Sequence, residues 1–241
     1  MLNKRIVPLL FAASACAFGQ GLPKGFTIPE DTLSPDRHFG VTVPDIIDSP
    51  DDARNSLVDA QTGRVLAVIR AGNVGYNRMN HGGVLPSRWA SDGSVLVWQV
   101  DGKWSDEALV VVKLEAGKVA WQTNVLKLAE QAILDRTKQA APKKYAKVRK
   151  TNVGMGTMGP GQIGGVDDPR SAYPEGFSIQ VEVVGPITFP LHVTAELTSG
   201  AKPGVPMFRY LQSHLTGVLN ANGKLTITSF DLGPAQPSHF D

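Results

Sequence analysis

Ser94-Val95-Leu96-Val97-Trp98-Gln99-Val100, then Asp101-Gly102, then Ala108-Leu109-Val110-Val111-Val112-Lys113-Leu114 is the stretch that decides the fold. Apolar runs of strand length flank a turn dipeptide, and a further turn, Glu115-Ala116-Gly117, leads into a run from Lys118 to Thr123. Glycine at such turns supplies the positive φ that tight connections need. Val95 to Trp98 and Leu109 to Val112 are continuous rather than alternating apolar runs, which predicts central strands covered on both faces. Toward the N-terminus the same signals recur: His38 to Val43, Ser56 to Asp59, the turn Ala60-Gln61-Thr62-Gly63, and Arg64 to Arg70.

These two regions form an internal repeat. Ser34-Pro35-Asp36-Arg37-His38-Phe39-Gly40-Val41 is echoed by Ala90-Ser91-Asp92-Gly93-Ser94-Val95-Leu96-Val97. Leu57-Val58-Asp59-Ala60-Gln61-Thr62-Gly63-Arg64-Val65 is echoed by Val112-Lys113-Leu114-Glu115-Ala116-Gly117-Lys118-Val119. In these motifs the chain resembles blades of TolB-type and WD-like β-propellers, whose blades open with Ser-Pro-Asp-Gly before an apolar strand. Arg37 stands where that pattern prefers glycine, and Ala90-Ser91 where it prefers Ser-Pro. The resemblance covers residues 34–123 and implies two blade-like repeats, whereas a closed propeller needs at least about four blades.

On the C-terminal side the character changes at Asn124, which is suited to cap a helix whose Val125, Leu128, Ala129, Ala132 and Ile133 share one face. Pro142 interrupts that helix and suits the first turn of another through Lys143 to Lys150. Residues 151–176 hold seven glycines and three prolines without periodicity, which reads as a flexible loop. Strands then return: Phe177 to Val184 and Ile187 to Leu197 around Gly185-Pro186, and Leu211 to Leu219 with Leu225 to Leu232 across Asn222-Gly223, the strongest hairpin signal in the chain. The expected fold is α+β and mainly β: an antiparallel meander of blade-like strands over 20–123, a helical segment over 124–150, the glycine-rich loop, and C-terminal antiparallel hairpins over 177–241.

The first nineteen residues read as an export leader. A basic start with Lys4 and Arg5 precedes an apolar run, Ile6 to Ala17, too short to span a bilayer, followed by small residues up to Gly19. An exported, periplasmic or secreted protein is expected. The chain has 24 Lys+Arg and 22 Asp+Glu; without Lys4 and Arg5 the remainder carries 22 of each, a formal net charge of zero. That balance argues against nucleic-acid binding, where phosphate neutralisation dominates affinity. Cys16 is the only cysteine, so no intramolecular disulfide forms. It either leaves with the leader or, in Ala13-Ser14-Ala15-Cys16, carries a lipid anchor. No later segment is apolar enough to form a transmembrane helix.

No complete catalytic constellation appears. Gly154-Met155-Gly156-Thr157-Met158-Gly159 has dinucleotide-type glycine spacing, but the strand before it and helix after it are missing. Ser199-Gly200-Ala201-Lys202 has serine–lysine spacing, yet lies in a turn between strands rather than opening a helix. No cofactor is expected. Asn80-His81-Gly82-Gly83 is a glycine-flanked loop in which His81 and Asn80 are candidate binding residues, with a backbone-bonded turn histidine as the competing reading. Trp98 and Trp104 are candidate stacking residues for a sugar ring, with core packing as their alternative. His192, His214 and Glu196 share the polar face of the C-terminal strands with Thr194 and Thr216 and form a candidate metal set. Asp45, Asp48, Asp51 and Asp52 read as a solvated acidic turn, and the basic stretch from Arg136 to Lys150 as a solvated helix face.

The functional expectation is a non-enzymatic exported binding or envelope-accessory module whose ligand is a glycan or an envelope protein. The alternative is a hydrolase acting on an envelope or extracellular substrate through His81 or the His192/His214 pair.

Overall fold

A computed structural model describes residues 21–22, 24–44, 54–71, 83–84, 87–101, 106–151, 176–199 and 211–233. The fold is α+β and mainly β. Strands β1 (Phe26–Thr27), β2 (Phe39–Pro44), β3 (Ser56–Asp59) and β4 (Val65–Val68) make a first antiparallel sheet in sequence order. Strands β5 (Gly83–Val84), β6 (Arg88–Trp89), β7 (Val95–Asp101), β8 (Asp106–Glu115) and β9 (Lys118–Asn124) make a second, with β5 and β6 both pairing β7. Helices α1 (Val125–Ala140) and α2 (Pro142–Thr151) follow, then a third antiparallel meander of β10 (Phe177–Val184), β11 (Leu191–Ser199), β12 (Gln212–Leu219) and β13 (Leu225–Leu232).

The second sheet is covered on both sides, as its continuous apolar runs predict. Alternate residues of one strand serve different cores: Val95 and Val97 pack toward α1 and the third sheet, while Leu96, Trp98 and Val100 pack toward Val41 and Leu57 of the first. Strand β8 divides in the same way, with Leu109 and Val111 on one side and Val110 and Val112 on the other. Period-2 side-chain alternation thus gives one strand a place in two cores.

The internal repeat is physical. In the first copy, Arg37 N–H donates to Ser34 O (2.8 Å), His38 N–H to Asp36 Oδ1 (3.1 Å) and Ser34 N–H to Phe39 O (2.9 Å). In the second, Gly93 N–H donates to Ala90 O, Ser94 N–H to Asp92 Oδ1 and Ala90 N–H to Val95 O, each at 2.9 Å. Arg37 (φ +59°) adopts the left-handed conformation that Gly93 (φ +70°) adopts in its copy. The Arg37 guanidinium pairs with Glu30 (Nη2 to Oε2 2.9 Å). The Ser34 hydroxyl holds the Asp36 carboxyl below the usual carboxylate range, and the Ser94 hydroxyl does the same to Asp92.

Helix α1 begins where Asn124 Oδ1 accepts from Lys127 N–H (3.4 Å). Its buried residues are Val125, Leu126, Ala129, Ile133, Leu134 and Thr137. This corrects the expected face: Leu128 is 42% exposed, whereas Leu126 and Leu134 are in the core. The reason is that α1 contacts strands of both the second and third sheets, so its apolar arc is displaced from the face the spacing alone suggests. Pro142 does open α2, which buries Tyr145 and Val148. The β12–β13 connection also differs from a two-residue Asn222-Gly223 turn. Asn220 N–H bonds Lys224 O, Asn220 Oδ1 accepts from the N–H groups of Asn222 and Lys224 (3.0 Å each), and only Gly223 has positive φ. A three-residue loop with glycine in the left-handed position results. Strand β11 starts at Leu191 rather than Ile187, which is buried within the preceding connection.

Side-chain hydrogen bonds tie the second sheet to the third. Arg88 donates to the carbonyls of Val183 and Gly185 (the latter at 2.7 Å), and Trp121 Nε1 donates to Ala221 O at 2.9 Å.

Candidate functional site

The third sheet has one face toward α1 and one face away from it. Ile179, Val181, Val183, Val193, Ala195, Leu197 and Leu215 are buried in the core on the first. Alternation places Gln180, Glu182, Thr194, Glu196, His214 and Thr216 on the second. Register sorts them into cross-strand rows. Gln180 lies opposite Glu196, Glu196 opposite His214, and His214 opposite Asp231. The adjacent row runs Glu182, Thr194, Thr216, Ser229. A β-bulge at Thr216/Gly217 brings two hydroxyls to one: Thr216 Oγ1 lies 2.9 Å from Thr228 Oγ1 and 2.8 Å from Ser229 Oγ.

His214 is partly buried on this face. Its Nε2 is 3.6 Å from Asp231 Oδ2, with its side chain 18% exposed and that of Asp231 66% exposed. Its Nδ1 is buried and has no hydrogen-bond partner among the described residues. Such a group retains its full hydrogen-bonding demand.

The candidate metal set does not assemble around it. Glu196 and His214 are direct cross-strand neighbours, but His192 lies opposite Val184 and Val218. Four residues along one strand separate His192 from Glu196, about 13 Å at strand rise. Among the described residues no group of three histidine, cysteine or acidic side chains is placed to hold a metal ion. Trp98 is likewise not a surface residue: it is fully buried between the first two sheets, and its Nε1 has no partner among the described residues. A continuous apolar run on a strand with two covered faces leaves no exposed side for it. Asn80, His81, Trp104, the glycine-spaced stretch 154–159 and the acidic turn 45–52 lie outside the described residues. Ser199 ends strand β11 and is buried, so it does not open a helix.

Asp231 and Ser229 belong to the site but were not singled out by sequence. Their signal was the alternation of Thr226, Thr228 and Phe230, which names a strand but not its cross-strand partners. No helix among the described residues is long and apolar enough to cross a membrane. No protein-family model matches the sequence, and no curated protein matches it significantly.

Proposed function

We propose that the chain is an exported, β-rich binding or envelope-accessory module that uses the outer face of the third sheet to recognise a hydroxyl-rich ligand, a glycan being the chemical class that fits. The observation carrying this reading is the row Gln180–Glu196–His214–Asp231 beside the row Glu182–Thr194–Thr216–Ser229. Neighbouring strands repeat at about 4.8 Å, so hydroxyl, amide, imidazole and carboxylate groups are offered on a regular grid. A sugar presents donors and acceptors at comparable intervals, and a rigid sheet holds the protein's groups without further ordering cost. In this reading the first two sheets are blade-like repeats that serve as scaffold. The leader over residues 1–19 delivers the chain outside the cytoplasm, with a lipid anchor at Cys16 as the membrane-attached form.

The test is retention of the purified chain on a panel of immobilised polysaccharides, followed by affinity measurement. Glu196→Gln and Thr216→Val should each weaken binding about tenfold, the scale of one lost polar contact, with the melting temperature unchanged. Binding to no polysaccharide, or affinity that ignores both substitutions, overturns the proposal. Mass measurement of the protein from its native envelope fraction tests the leader and the anchor: a start after residue 19 supports cleavage, and an added acyl mass on Cys16 supports lipidation.

A further inference from the structure

Strand β13 is the last strand of the third sheet, and among the described residues no strand pairs with its far edge. An unpaired edge presents a row of backbone donors and acceptors and is usually blunted by proline, inward-pointing charge or short length. β13 is eight residues long, has no proline and carries a single charge, Asp231. The helix-facing side of this edge is also apolar and open. Leu232 is 48% exposed and Leu128 of α1 42% exposed. A groove of about 430 Å³ runs between α1 and β13, lined by Leu128, Ala132, Leu225 and Ile227 with the Asn222–Lys224 turn.

We propose that the occupant of this edge is a second copy of the same chain, joined β13 to β13 about a two-fold axis into one continuous antiparallel sheet. The argument is charge complementarity in one register, the one whose two-fold lies between Ile227 and Thr228. Lys224 then meets Asp231 of the second copy, and by symmetry Asp231 meets Lys224, so both charges of the 224–232 segment are paired twice over. Leu225 meets Phe230 of the second copy, and both residues pack on the helix-facing side. Thr226 meets Ser229, both on the outer side. The bulge opposite Thr216 allows this matching on either side of the two-fold: it inserts Thr228, so that Leu225 and Phe230 share a face although their numbers differ by an odd count, while at the two-fold itself the bulges of the two copies meet, Ile227 against Thr228. A register shifted by one residue sets outward side chains against inward ones along both flanks, and one shifted by two toward Leu232 matches the faces but sets Lys224 opposite Gly233, without its acid. Phe230 of the second copy comes to lie beside Leu225 at the mouth of the apolar groove, removing Leu225, Ile227 and Leu128 from water. This inference does not rest on the ligand reading, although it would join two polar faces into one.

Sedimentation equilibrium of the purified chain over a concentration series tests it, with no ligand present. A monomer–dimer equilibrium is expected. Lys224→Asp and Asp231→Lys should each weaken the dimer at least about tenfold, because every symmetry-related pair becomes like-charged, and the combined swap should restore it. A register check uses Thr226→Cys and Ser229→Cys, each in a Cys16→Ser background. Mixed under oxidising conditions, they should form a cross-linked heterodimer far faster than either alone. A chain monomeric at every concentration overturns the proposal. So does a dimer indifferent to the charge swaps with no mixed cross-link, which would use another surface. A monomer whose β13 amides gain exchange protection only with a foreign peptide strand overturns it in favour of a heterologous partner.

Discussion

Thr137 Oγ1 of α1 lies 2.6 Å from Ser213 Oγ of β12, and both side chains are buried within the main core. The Thr137 hydroxyl also donates to Ile133 O at 2.6 Å. This hydroxyl pair is a polar clasp between helix and third sheet, 76 residues apart in sequence, and it sets which turn of α1 faces which strand. Thr137→Val keeps the shape and leaves the Ser213 hydroxyl without this partner. Unfolding by urea should show a loss of about 1–3 kcal/mol, the cost of orphaning a buried polar group. Thr137→Val combined with Ser213→Ala should recover part of that loss; a strictly additive double variant would show that the pair is not coupled.

Gly223 and Gly93 both have positive φ, +75° and +70°, but differ in what surrounds them. A Cβ on Gly93 would lie 3.6 Å from the Asp36 carboxylate, an ordinary contact, so Gly93→Ala should cost only backbone strain, about 1 kcal/mol. A Cβ on Gly223 would come within 3.2 Å of the Trp121 ring and of Thr123 Oγ1. Gly223→Ala should therefore cost more, and should disturb the Trp121 Nε1 bond to Ala221 O. Chemical denaturation of both variants, with the indole N–H proton shift of Trp121, checks the order; equal losses would contradict the docking of the hairpin tip on β9.

The rotation of α1 has a direct mutational signature. Leu126→Ala removes a fully buried side chain and should cost about 2–5 kcal/mol. Leu128→Ala acts on an exposed leucine and should stay within about 1 kcal/mol. If thermal denaturation ranks them the other way, the helix presents the face that spacing alone suggests.

Acid should loosen the repeat turns. Asp36 and Asp92 are held below the usual carboxylate range, first by the hydroxyls of Ser34 and Ser94. A folded-state pKa below the unfolded one contributes stability that is fully present above the unfolded value of about 3.9. It is lost as pH falls through the depressed folded-state values. Asp36→Asn and Asp92→Asn should flatten the fall in stability with pH in that acid window, while leaving the slope near neutrality unchanged. Urea midpoints measured from pH 2 to 7 give the comparison.

Much of the fold is legible locally. The turns at Asp36-Arg37, Asp92-Gly93 and Ala116-Gly117, the Asn124 cap and the Pro142 break each depend on a few adjacent residues, so short-range chemistry announces them. Trp98 shows where the reading divides. Its strand and its two covered faces follow from the run Val95 to Trp98, and those same covered faces exclude it from a binding surface. The candidate metal set failed for a different reason. Alternation places His192, Glu196 and His214 on one face, but only register decides which of them are neighbours, and register is set by turns and bulges at a distance from the residues it brings together.

Sequence alone therefore determined the element types, the repeat and the two-faced burial of the second sheet, because these rest on periodicity and turn residues within reach of one another. Tertiary structure alone decided that Glu196, His214 and Asp231 form a row, that His192 stands apart, and that Leu128 faces outward. Those outcomes depend on the pairing of β10 to β13 and on the seating of α1 between two sheets. They are packing relations between segments separated in sequence, 18 residues from Glu196 to His214, 17 from His214 to Asp231 and 76 from Thr137 to Ser213, for which adjacent residues carry no signal.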